Sequence, residues 1–300
     1  MNDIFLAFGD SFTWGHGLQY YDWIKNSKMS KKEIKDFLLK NQKSQHHQWV
    51  NFDFKCTAGD LESMRKRRYT TLLSKKLGMD YISRINNGGS NLGNTHMIET
   101  LLRDDYPDDK SEWKKANHSL DNDKLLNRKI KFIILQLTNI DRDFSNVGEL
   151  RVHDGELEHA RSMIGSWWDK YILSQESSGI FKLNQKKIRK DRWKLIYLRD
   201  RVKQLYEMCE KKDIKLYVWA WPQEVSRFLI NEPYFVEIEY NNKKYESYNN
   251  LVNTHPKFSL GKKGGDLREY GVTDEHPSKS FHKLISETLL NKIVGENGKN

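Results

Sequence analysis

Two short segments near opposite ends of this 300-residue chain hold the residue types of nucleophilic catalysis. The first is Gly9-Asp10-Ser11-Phe12-Thr13-Trp14-Gly15, a segment that directly follows an apolar run and is bracketed by glycines. Backbone N–H groups at such a strand-to-helix turn are available to an anion, or to the oxyanion of an acyl-transfer intermediate. The plainer reading is a turn with Ser11 as a helix N-cap. The second is Asp274-Glu275-His276-Pro277-Ser278. A histidine beside a carboxylate can serve as general base while the acid fixes its tautomer. A histidine before proline is by itself an ordinary loop residue. Paired with a serine it gains meaning, because a serine nucleophile needs a base within hydrogen-bond reach and an orienting acid behind it.

Two further segments supply donors suited to a developing oxyanion: Gly88-Gly89-Ser90-Asn91 and Thr138-Asn139. Each follows an apolar run that reads as a strand. A glycine N–H and an asparagine amide are both suitable donors. The plainer readings are a flexible turn for the first and a local turn bond for the second.

Taken in this order, Ser, Gly, Asn and His resemble the SGNH hydrolase superfamily, also called the GDSL esterases. Gly9-Asp10-Ser11 with Thr13 and Gly15 is similar to the family's first block, Gly-Asp-Ser-x-Thr-x-Gly, in full. The resemblance implies that Ser11 is the nucleophile and that its N–H is one oxyanion donor. Thr138-Asn139 resembles the third block, with Asn139 as the side-chain oxyanion donor; Leu137 stands at the usual Gly and Ile140 at the usual Asp. Asp274 to Ser278, followed by Phe281-His282, resembles the last block, with His276 as base. The family's acid lies three residues before that histidine. Here that position is Thr273, and Asp274 is two before, so the resemblance leaves a triad through Asp274 or a Ser11–His276 dyad. The second block resembles the variant of bacteriophage-encoded members. It gives Gly88 as the oxyanion glycine with Gly89 as the alternative, while other alignments would use Asn91 or Gly93. The resemblance implies ester hydrolysis through an acyl-enzyme, without metal or organic cofactor. The lack of a long apolar lid segment and the aromatic-rich insertions point to short, acetyl-like esters, including O-acetyl groups on a carbohydrate. The alternative is a catalytically inactive binding or structural protein of the same fold, such as a virion component.

The elements that must position these residues follow from hydropathy patterning. Ile4 to Phe8, Asp80 to Ile85, Lys131 to Leu137 and Lys215 to Trp221 read as strands. Helices are expected near Lys31 to Leu39, over Tyr69 to Leu77 with Gly78 as C-cap, from about Thr95 to Leu102, over Arg192 to Lys211, and from about Ser278 to Val294. Alternating strands and helices predict an α/β chain with a mostly parallel sheet covered on both faces. With the family resemblance this becomes a three-layer α/β/α sandwich, the flavodoxin-like SGNH hydrolase fold. Residues 1–300 are expected to form one such domain, with an inserted subregion at 19–62 and irregular surface insertions at 104–128 and 223–270. Ligands of such sheets sit outside the carboxyl ends of the strands.

Composition excludes several classes. Nine Trp, fourteen Tyr and thirteen Phe suit a buried core rather than disorder. No stretch approaches eighteen apolar residues, and the acidic segment Met1 to Phe8 is too short for a signal peptide. A cytoplasmic or phage-associated protein is therefore expected. Two cysteines, Cys56 and Cys209, support neither a disulfide framework nor a cysteine zinc site. The chain lacks Gly-x-Ser-x-Gly, a phosphate-binding loop and a dinucleotide fingerprint. Net charge is +10, but the basic runs Arg65–Arg68 and Lys186–Lys190 read as solvated helix faces, and no nucleic-acid-binding signature accompanies them. The expected partner is a small ester or acylated glycan rather than nucleic acid. His46-His47 read as a solvated pair, Trp167-Trp168 and Trp219 with Trp221 as core or sugar-stacking aromatics, and Asn117-His118-Ser119 as a chance glycosylation spelling.

Overall fold

The computed structural model describes residues 3–42, 58–84, 90–105, 110–116, 120–140 and 187–297. Gly88, Gly89, His46, His47, Cys56, Trp167, Trp168 and Asn117–Ser119 lie outside them. In chain order the first elements are β1 (Ile4–Phe8), α1 (Ser11–Trp14), α2 (Tyr20–Asn26), α3 (Lys31–Gln42), α4 (Ala58–Arg67), α5 (Tyr69–Leu77) and β2 (Asp80–Arg84). Then come α6 (Asn91–Leu102), α7 (Ser111–Ala116), β3 (Leu120–Asp121), β4 (Ile130–Leu137), α8 (Lys187–Lys211) and β5 (Lys215–Ala220). The chain continues through α9 (Gln223–Leu229), β6 (Ile238–Tyr240), β7 (Lys243–Tyr245), α10 (Tyr248–Thr254) and α11 (Lys279–Asn297).

The protein is mixed α/β, built on a five-stranded sheet of order β3-β2-β1-β4-β5. β1 pairs in parallel with β2 and β4, and β4 in parallel with β5; β3 alone runs antiparallel, against the end of β2. Parallel strands in the middle of a sheet bury both faces and so read as continuous apolar runs. β1, Ile-Phe-Leu-Ala-Phe, is buried throughout. Because side chains alternate, Ile4, Leu6 and Phe8 enter one apolar cluster and Phe5 and Ala7 another. α6 and α8 add Ile98, Leu101, Leu198, Val202 and Leu205 to the first cluster. α5 and α11 add Tyr69, Leu73, Phe281, Ile285 and Leu289 to the second.

Three sequence expectations need correction. α6 begins at Asn91, not Thr95, because Ser90 caps it: the Ser90 hydroxyl accepts from Gly93 N at 3.0 Å, so the Asn- and Gly-rich stretch starts the helix rather than preceding it. The 104–128 stretch is not merely a surface connection, since it holds α7, whose Trp113 is fully buried, and the edge strand β3. Residues 223–270 hold α9, the β6–β7 hairpin and α10, and are not irregular. The expected C-cap of α5 is present, with Gly78 left-handed at φ +61°.

The described part of the 19–62 subregion forms a third apolar cluster. Leu18, Tyr20, Tyr21, Ile34 and Leu38 pack with Leu260, Leu267 and Val272, the segment that leads into Asp274. Among the described residues no helix is long and apolar enough to cross a membrane.

Candidate active site

The chain runs outward from β1 to β2 and β3, then returns to β4 on the other side of β1. That reversal puts a topological switch point at the carboxyl ends of β1 and β4, where a crevice forms in open α/β sheets. The Ser11 turn leaves β1 there, and Thr138-Asn139 leaves β4 beside it.

The Ser11 turn is anchored to β4 by one buried amide. Gln136 Oε1 accepts from Asp10 N at 2.9 Å and from the Thr13 hydroxyl at 3.2 Å, while its Nε2 donates to Leu137 O at 2.8 Å. The approach is so close that a Cβ on Gly9 would lie 2.1 Å from Thr13 Oγ1 and 2.5 Å from Gln136 Oε1, which is why glycine stands there. The cap of α1 is Asp10, whose Oδ1 accepts from Phe12 N at 2.9 Å. The reading of Ser11 as the N-cap is thereby corrected: the carboxylate takes that role and Ser11 is the first helical residue. The Ser11 side chain lies outside the described part of the structure.

The His276 segment is held from several sides. Leu260 N donates to His276 O at 2.9 Å and Ser278 N to Phe258 O at 2.8 Å, a short antiparallel bridge. Tyr248 OH and Ser259 Oγ both donate to Glu275 O, at 3.0 and 3.1 Å. From the 19–42 region, Tyr21 OH donates to Asp266 at 2.5 Å and accepts from Lys279 N at 3.2 Å. Within the segment, Asp274 Oδ1 accepts from His276 N at 3.0 Å and lies 2.5 Å from His276 Nδ1. An aspartate two residues before the histidine therefore reaches the ring, because the intervening turn folds its carboxylate back over the His276 backbone. Burial pushes the Asp274 carboxyl up, but His276, its hydrogen bonds and His16 together outweigh that and hold it below its usual range.

The two ends of the chain meet. The Phe12 ring lies 5.2 Å from the His276 ring, stacks on Trp221 at 5.2 Å and meets Tyr248 edge-on at 5.1 Å. His16, on the same turn, is buried, with its ring 4.8 Å from His276 and its Nε2 3.6 Å from Asp274 Oδ2. Burial, reinforced by the nearby His276 and opposed by Asp274, lowers the His16 pKa to about 3, so the ring is neutral.

Asn139 is half-buried and is positioned through its neighbour. Thr138 N donates to Asn91 Oδ1 at 2.7 Å, Asn91 Nδ2 donates to Thr138 O at 3.1 Å, and Trp221 Nε1 donates to the Thr138 hydroxyl at 2.9 Å. Asn91 is fully buried and engaged at both ends of its amide, and Gly93 N is spent on the Ser90 cap. Trp219 is fully buried in the core, whereas Trp221 is half-buried against Phe12.

The basic run at 65–68 is only in part a solvated face. Arg65 and Lys66 are exposed, Arg67 forks onto Asp22, and Arg68 is buried with Nη1 3.7 Å from Asp121 Oδ2. Cys209 is buried in the core, which pushes its thiol up to about 12. Among the described residues no group of three or more His, Cys, Asp or Glu could hold a metal ion.

Searches against protein-family models, curated proteins and solved structures found no match to this chain.

Sequence reasoning missed Gln136 and His16. A lone amide inside the apolar run Phe132 to Leu137 was the available signal for the first, since a polar group there must have a partner. The signal for the second was a histidine between two glycines, both of which adopt positive φ here.

Proposed function

We propose that the protein is a serine esterase acting on short, acetyl-like esters, with a three-layer α/β/α arrangement of the flavodoxin-like SGNH hydrolase type. The observation that carries this reading is the 2.5 Å contact between Asp274 and His276 Nδ1, on a segment whose histidine ring packs against Phe12, the residue after Ser11. The sheet order, with Ser11 and Asn139 on adjacent loops at the switch point, is its second support.

In this reading Asp274 fixes the His276 tautomer with the proton on Nδ1, which leaves Nε2 as the base. Nε2 takes the Ser11 hydroxyl proton as the oxygen attacks the ester carbonyl. The oxyanion is met by Ser11 N–H, by the N–H of Gly88 or Gly89, and by the Asn139 amide. His276 returns its proton to the leaving alkoxide. Water then attacks the acyl-enzyme with His276 again as base, and acid and free Ser11 are released. Half-buried Trp221, stacked on Phe12 beside His276, suits an acylated carbohydrate, because an aromatic face packs against a sugar ring.

A fluorophosphonate probe tests the proposal. Covalent labelling of the wild type at Ser11, absent in Ser11→Ala, is the expected result. An unlabelled wild type would overturn it in favour of a catalytically inactive binding or structural protein.

A further inference from the structure

We propose that His16 is a positioning residue of the Asp274–His276 pair: a second imidazole whose Nε2 faces the carboxylate oxygen that His276 leaves open. The inference rests on the esterase reading for its meaning, but not for its test.

Asp274 Oδ1 serves both the backbone N and the Nδ1 of His276, at 3.0 and 2.5 Å. Oδ2 takes no part in those bonds, and a largely buried carboxylate oxygen without a polar neighbour is costly. The group that meets it is His16 Nε2, at 3.6 Å. The approach depends on local backbone: Gly15 and Gly17 both adopt positive φ, +81° and +86°, and so turn the intervening residue inward. The turn hugs the acid so closely that a Cβ on Gly17 would lie 3.5 Å from Asp274 Oδ2 and 2.2 Å from Leu260 Cδ1. The His16 ring also lies against the His276 ring, 4.8 Å between centroids. The residue therefore touches both members of the pair, and it is closed off from solvent.

The charge state gives this arrangement its use. The titratable groups facing His16 are His276 and Asp274. A protonated His16 would compete with His276 for the single carboxylate charge and repel the imidazolium that forms during acyl transfer. Held neutral, it offers Oδ2 a dipole without a charge, which keeps the carboxylate from rotating and keeps water from the Asp274–His276 bond. At 3.6 Å the contact is longer than a hydrogen bond. Catalytic contacts of this kind tighten when the bound state is formed.

The test uses two variants that fill the site, so that loss of packing does not decide it. His16→Gln keeps a neutral N–H near the position of Nε2; His16→Met keeps volume without a donor. The readout is the far-downfield proton resonance of the short His276 Nδ1–H···Asp274 bond, read by proton NMR on folded protein. The wild type and His16→Gln are expected to show it sharply; in His16→Met it is expected to shift upfield and exchange with water about tenfold faster or more. A wild-type resonance in His16→Met, or no resonance in the wild type, overturns the proposal. Fluorophosphonate labelling of the same samples separates the two readings. An unlabelled wild type with the expected resonance pattern sinks the esterase and leaves the positioning role, whereas a labelled wild type with an unchanged His16→Met resonance does the reverse.

Discussion

Asp274 binds His276 twice through one oxygen, at the backbone N and at ring Nδ1, although only one residue separates them. A carboxylate caught in its own turn holds the ring in one orientation and one tautomer. The first prediction follows for the proposed esterase. Asp274→Asn should keep the fold but favour the wrong tautomer, lowering kcat on p-nitrophenyl acetate by about 10³–10⁴-fold. A loss under about tenfold would mean that a Ser11–His276 dyad operates and that Asp274 only shapes the turn.

Two buried histidines make stability depend on acid. His16 and His282 each have their pKa lowered from 6.5 to about 3, first by burial, with His276 next at His16 and Arg68 next at His282. Between those values the unfolded chain binds protons that the folded chain refuses. Stability is therefore full above about pH 6.5 and falls as pH drops toward 3, by up to about 1.4 kcal/mol per pH unit for each histidine. Asp274, held below its ordinary value, adds loss of the same sign at the acid end. Urea midpoints measured from pH 7 to 4 should show the slope, and His282→Gln should flatten it. A flat profile in the wild type would mean that these rings are charged in the fold.

The Gln136 anchor is the third point of test. Gln136→Leu leaves the buried Asp10 N–H without its acceptor, and Gly9→Ala pushes a methyl group into the same space. Each should cost about 1–3 kcal/mol of stability by urea unfolding. Each should also slow fluorophosphonate labelling, because the Ser11 turn loses its fixed position. Gly9→Ala at wild-type stability would contradict the packing described.

Arg68 and Asp121 predict an asymmetry. The guanidinium is buried, its pKa is lowered to about 10 by that burial, and its nearest counter-charge is Asp121. Removing the acid strands a buried cation, so Asp121→Asn should destabilise by about 3 kcal/mol. Arg68→Met removes the cation instead and should be close to neutral. Equal losses from the two variants, measured by thermal unfolding, would contradict this.

What the sequence made legible is what local physics dictates. β1 and β4 announce themselves because both of their faces are buried, and α5 because its apolar spacing ends at a left-handed glycine. The Ser11 and His276 segments stood out by residue type and flanking glycine or proline. Less legible was whatever depends on a distant partner. Ser90 caps a helix where the composition suggested a loop, and Asn91, a candidate donor by one alignment, spends its amide on Thr138, 47 residues away. α9, the β6–β7 hairpin and α10 lie in a Tyr- and Asn-rich stretch of weak periodicity, and fold because Val225 and Leu229, Ile238 and Tyr245, and Tyr248 and Leu251 respectively find the core. The spacing of Asp274 hid its reach, since only the folded turn brings Oδ1 onto the ring.

The strand order also governs how the chain is made. β1 is made before the other strands of the sheet yet lies at its centre, where Ile4 pairs with Ile130. Until β4 emerges from the ribosome, Ile-Phe-Leu-Ala-Phe has no neighbour on that side, and His276 follows much later. At about 5–20 residues per second the wait for β4 lasts on the order of ten seconds. For that time a wholly apolar pentapeptide must be sheltered by the nascent chain itself or by chaperones, so recovery from cells should respond more steeply to synthesis rate and temperature than the stability of the finished protein does.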